Sequence, residues 1–117
     1  MERWLRATIN SWNGLVAATR SEAAVRQELM ALAVAVPLAF VVATDAWKRL
    51  ALIAVVLLLI IVELLNTAIE KLADHVTAKI DPGIGRIKDM GSAAVGGAIL
   101  IAGAIWLVAI GERFALL

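Results

Sequence analysis

The chain has 117 residues, of which 62% are hydrophobic, against roughly 45–50% in ordinary soluble domains, and its mean hydropathy is +0.91. That excess excludes a water-soluble monomer and points to a single membrane-embedded domain spanning residues 1–117. A net charge of +1 argues against a nucleic-acid partner. The absence of cysteine removes thiolate metal sites, disulfides and a cysteine nucleophile. His75 is the single histidine, so any metal would be a hard cation such as Mg²⁺ held by carboxylates.

The first element is predicted over about residues 1–20. Leu5, Ile9, Trp12 and Val16 recur at a three-or-four spacing opposite Glu2, Arg3, Arg6, Asn10 and Asn13, which predicts an amphipathic surface helix. The early charges and the lack of a continuous apolar run do not read as a cleavable signal peptide. Trp4, Trp12, Trp47 and Trp106 suit the membrane interface.

Three spans follow, over about 24–43, 48–70 and 88–110. Charge-free runs cover 29–43, 50–62 and 90–110, and only the last reaches the roughly 20 residues a span needs. The first is lengthened through the Ala23–Glu28 segment and tolerates Pro37 as a kink, because neighbouring helices satisfy the freed carbonyl. The second is completed through Glu63–Ile69, which puts a carboxyl and an amide at its end. Asp81-Pro82-Gly83-Ile84-Gly85 supplies turn chemistry between the second and third spans. Eight Lys and Arg residues fall on the side of the amino terminus and that loop, and three (Lys48, Arg49, Arg113) on the other. This bias predicts a cytoplasmic amino terminus.

Glu63, Asn66 and Glu70 stand at i, i+3 and i+7, so they share one helix face with the two carboxyls roughly 10 Å apart along the axis. An ionisable group at membrane depth costs a few kcal/mol, which marks a functional site or a buried contact between helices. Glu22, Arg26 and Glu28 precede the first span, and the i, i+4 pair of Glu22 with Arg26 reads by itself as a solvated helix face. Arg86, Lys88 and Asp89 open the third span, where an anion would meet basic side chains and the positive end of a helix. Carboxylates for Mg²⁺, a basic cluster for phosphate and a deeper lone carboxylate together are the parts phosphoryl transfer needs. No Gly-rich nucleotide loop of the soluble kinds occurs. Gly91, Gly96, Gly97 and Gly103 in the third span read as sites of close helix packing.

Glu63-Leu64-Leu65-Asn66-Thr67-Ala68-Ile69-Glu70-Lys71-Leu72-Ala73-Asp74 resembles the signature of the prokaryotic integral-membrane diacylglycerol kinases. Glu22-Ala23-Ala24-Val25-Arg26-Gln27-Glu28 and Lys88-Asp89-Met90-Gly91-Ser92-Ala93-Ala94-Val95 carry the resemblance along nearly the whole chain. It implies a homotrimer of three-span subunits with a surface helix and active sites shared between neighbours. The implied reaction moves the γ-phosphate of ATP to diacylglycerol, giving phosphatidic acid. By the same resemblance, Glu63 is the general base with Asn66 beside it, and Glu22 and Glu70 hold Mg²⁺ on the nucleotide. Arg3, Lys88 and Asp89 match nucleotide contacts, with Lys88 on phosphate, and Asn10 falls at a nucleotide-contact position, while Arg3, Glu28 and Glu63 match positions facing the lipid substrate. Departures from the pattern are Asn10, where some members carry an aromatic residue, and Ile80-Asp81-Pro82, which replaces a histidine-containing segment. Asn13 and Val16 also replace basic residues of some relatives, which weakens the pull of the surface helix on anionic headgroups.

Two other readings remain open on sequence grounds. Related three-span kinases phosphorylate polyprenols such as undecaprenol with nearly the same motifs. A non-enzymatic oligomeric channel or scaffold would use the Glu63, Asn66 and Glu70 stripe to line a pore or seal an interface, and would need no phosphate-binding group near Lys88.

Overall fold

A computed structural model describes residues 2–77 and 79–116. It consists of four α-helices in chain order: α1 (Glu2–Ser21), α2 (Ala23–Val42), α3 (Ala46–Val76) and α4 (Pro82–Arg113). The last three are long and apolar enough to cross a membrane.

Each helix boundary has a local cause. Glu22 is extended and separates α1 from α2. The guanidinium of Arg26 donates to the carbonyls of Thr19 (2.9 Å) and Arg20 (3.1 Å), satisfying acceptors that the end of α1 leaves open. Glu22 and Arg26 therefore do not pair as an isolated i, i+4 couple, because Arg26 caps the preceding helix instead. Asp45 caps α3 by accepting from the Lys48 N–H at 2.9 Å.

The start of α4 corrects the sequence expectation. Asp81 accepts from the N–H groups of Gly83 (2.8 Å) and Ile84 (3.1 Å), and Pro82 occupies the first turn, where its missing N–H costs nothing. The Asp-Pro-Gly sequence is thus a helix start, and Lys88 and Asp89 stand inside α4 rather than at its N-terminus. At 31 and 32 residues, α3 and α4 are each roughly 47 Å long at 1.5 Å per residue, well beyond the hydrocarbon thickness of about 30 Å.

The central element is α3, which packs against α2 on one side and, most extensively, against α4 on the other. Leu52, Val55, Val56 and Ile60 of α3 are buried, as are Ala35 and Ala39 of α2 and Ala98 and Ala102 of α4, small residues that let helix backbones approach. The tightest cluster joins Ala39, Val42, Ala43 and Leu52, with Ile105 and Trp106 packed against it. Trp106 donates its indole N–H to the Leu52 carbonyl at 3.0 Å, so it is a half-buried fastener between α3 and α4 rather than an interface anchor. Trp47 is 80% exposed. Of the four α4 glycines named above, only Gly91 has a neighbouring helix within van der Waals reach of a Cβ; Gly96, Gly97 and Gly103 face open space in the single chain.

Candidate active site

The acidic and amide side chains gather at the end of the bundle away from the Leu52 cluster. The three-and-four spacing on α3 turns Glu63, Asn66 and Thr67 inward, each less than 10% exposed, and Glu70 follows one turn later, partly covered. The Asn66 amide donates to Glu70 Oε1 at 3.1 Å. Glu22 and Glu28 reach the same region from the α1–α2 junction and from α2. The charges of Glu70 and Glu22 bear on Glu63, and that of Glu63 bears on Glu28. Glu22, Glu28 and Glu70, from two helices and a junction, are therefore each near enough to Glu63 for their charges to interact.

Two oxygens in this region are buried without a hydrogen-bond partner, Glu28 Oε1 and Asn66 Oδ1. A buried acceptor left open costs about 1–3 kcal/mol, and sites that keep one commonly meet a ligand or ion there. Among the described residues no three acidic or histidine side chains converge into a complete metal-ligand set.

Two basic residues border the acids. Lys71 Nζ stands 3.8 Å from Glu22 Oε1, and Lys88 Nζ stands 2.5 Å from Asp74 Oδ1. Sequence reasoning assigned no role to Lys71, Thr67 or Asp74. Asp74 continues the 63, 66, 70 stripe by one more turn, so spacing alone marked it; the Lys71 to Glu22 contact depends on how α3 meets the α1–α2 junction. Asp89 is exposed. Arg3 and Asn10 are exposed on α1, and a single chain does not bring either to the carboxyls; Arg3 instead stacks 6.0 Å over the Trp4 ring.

Two grooves adjoin the cluster. One of about 640 Å³ lies between α1 and α3, lined by Ser11, Ala18, Ser21, Leu64, Thr67 and Lys71. The other, about 590 Å³ and almost wholly apolar, runs along α2, α3 and α4 from Gln27, next to Glu28, past Met30 and Val34 to Leu38 and Trp106.

Three long apolar helices carrying an inward acidic cluster at one end define a helical membrane protein with a polar reaction site. The sequence model of the prokaryotic diacylglycerol kinase family matches residues 9–110, and the chain belongs to that family. A diacylglycerol kinase of Escherichia coli (strain K12) is 44% identical over 112 residues, 96% of this chain and 92% of that protein. One from Pseudomonas aeruginosa is 42% identical over 106 residues, 91% and 86% of the two chains. One from Haemophilus influenzae is 34% identical over 102 residues, 87% and 86%.

Proposed function

We propose that the protein is a Mg²⁺-dependent lipid kinase that transfers the γ-phosphoryl group of ATP to the free hydroxyl of diacylglycerol, giving phosphatidic acid and ADP. The observation that carries this reading is the acidic cluster of Glu22, Glu28, Glu63 and Glu70, with Glu63 buried in the bundle and the other three partly covered, and with Lys88 held one turn further along α3 by Asp74. Membership of the family and the shared name of the three relatives favour diacylglycerol over a polyprenol. The basic flank at Lys88 favours a kinase over a pore.

In this reading Glu63 accepts the proton of the lipid hydroxyl as its oxygen bonds to the γ-phosphorus. The bond from that phosphorus to the bridging oxygen breaks, and ADP leaves with the electron pair. Glu22 and Glu70 would hold Mg²⁺, whose chemistry there is to neutralise charge on the phosphate oxygens. The open oxygens beside them suit a hard cation or a hydroxyl donor. Asn66 orients Glu70 through its amide, and Lys88 receives phosphate. Glu28, next in the chain to Gln27 of the apolar groove, would face the lipid headgroup, and an acyl chain suits that groove. The groove itself is roughly the size of a small-ligand pocket.

The nucleotide contacts assigned to Arg3, Asn10 and Asp89 complete the site in an assembly. The exposure of Arg3 and Asn10 on α1, which leaves both open to a neighbouring subunit, supports a homotrimer with sites shared between neighbours. So do the apolar side chains that α2 and α4 leave uncovered, among them Phe40, Leu100 and Leu107. The uncovered Trp4, Leu5, Ile9 and Trp12 of α1 support a helix lying on the inner-membrane surface with the amino terminus cytoplasmic.

The test is a phosphoryl-transfer assay in mixed micelles with γ-labelled ATP, offering diacylglycerol or undecaprenol with and without Mg²⁺. Label in phosphatidic acid only when Mg²⁺ is present is the expected result. Label confined to the polyprenol, or no transfer to either alcohol, overturns the reading.

A further inference from the structure

Gly91 is buried on α4 and faces Asn66 on α3. A Cβ added at Gly91 would overlap Asn66 Oδ1 and stand 3.2 Å from Asn66 Cγ. The same amide is more than nine-tenths buried, donates from its nitrogen to Glu70, and leaves Oδ1 without a partner against α4. Glycine is a poor choice for a helix interior, where alanine is favoured. Its presence here is explained by space. The α4 backbone closes one side of the amide, whose NH₂ group points along α3 to Glu70.

We infer that Gly91 is a positioning residue for the phosphoryl-transfer site, acting through the Asn66 amide on the Glu70 carboxylate. The inference rests on the kinase reading above. A methyl group at position 91 displaces the amide, breaks its bond to Glu70, and lets that carboxylate turn away from the cation and nucleotide. Gly91 stands three residues after Lys88, so the same contact sets the register between the phosphate-binding segment of α4 and the acidic face of α3.

The experiment compares Gly91→Ala, Asn66→Ala, the double variant and Gly97→Ala, whose Cβ meets nothing in the chain. Each is assayed for kcat and for the Mg²⁺ concentration giving half-maximal rate, with folding followed by thermal unfolding in detergent. Gly91→Ala is expected to lower kcat at least tenfold and raise the Mg²⁺ requirement several-fold, with Gly97→Ala within twofold of the parent. In the Asn66→Ala background, adding Gly91→Ala is expected to change nothing beyond twofold, because the atoms the new methyl strikes are gone. That comparison stays informative if Gly91→Ala alone folds poorly, since the double variant relieves the clash. Unchanged kinetics in a folded Gly91→Ala protein, or losses that multiply in the double variant, overturn the inference. An inactive parent chain would instead overturn the kinase reading, so the two failures are distinguishable.

Discussion

The ammonium of Lys88 on α4 and the carboxylate of Asp74 on α3 meet at 2.5 Å, which occupies with an internal anion the side chain to which the proposed mechanism gives the phosphate. Both are partly exposed, 39% and 64% for the two side chains, so the pair is screened and worth at most about 1 kcal/mol. Nucleotide phosphate therefore competes with Asp74 at small cost. Asp74→Asn is expected to lower the KM for ATP by up to roughly fivefold, the factor equivalent to that energy, with kcat nearly unchanged. The effect should shrink at high salt. A raised KM would mean that Asp74 orients Lys88 rather than competing for it.

Glu70 shares its Oε1 with the Asn66 amide, and Glu70→Gln keeps its shape while removing the charge that suits a divalent cation. The expected result is an increase of at least tenfold in the Mg²⁺ concentration for half-maximal rate. Titration of activity against Mg²⁺ at fixed ATP measures it. An unaltered Mg²⁺ dependence would remove Glu70 from the cation site.

Trp106 ties α4 to α3 far from the acids. Trp106→Phe keeps most of the ring volume and loses the hydrogen bond to the Leu52 carbonyl, a change of about 1 kcal/mol. Thermal unfolding in detergent should show that loss with catalysis intact. Trp47→Phe, at a side chain 80% exposed, should shift stability by less than about 0.5 kcal/mol. Equal effects from the two would contradict the fastening role.

At the same far end, Lys48 Nζ and Glu112 Oε1 lie 3.1 Å apart with both side chains about half exposed. Lys48→Gln should cost less than about 1 kcal/mol and leave both kinetic constants within twofold. A large kinetic effect would show that the two ends of the bundle are coupled.

Much of this arrangement was legible in the amino-acid sequence because helical periodicity carries it. Glu63, Asn66 and Glu70 fall on one face at a spacing that any α-helix enforces, and an acid inside an apolar segment stands out by its cost. Helix starts were harder, since Asp81-Pro82-Gly83 serves a turn and an N-cap equally well, and only the hydrogen bonds to Gly83 and Ile84 decide. The partners in contacts between helices were not legible, even where Gly91 was marked as a packing site. Arg26 caps α1, Lys71 reaches Glu22, and Gly91 meets Asn66 through packing geometry that no single-helix pattern encodes.

The most direct test replaces one carboxyl: Glu63→Gln removes the proton acceptor while preserving volume and hydrogen-bonding capacity. Phosphoryl transfer to diacylglycerol should fall by at least a thousandfold, at or beyond the upper half of the roughly 10²–10⁴-fold range for a lost general base, while equilibrium binding of the magnesium nucleotide stays within a few-fold of the parent. Transfer at the parental rate by this variant would contradict the account.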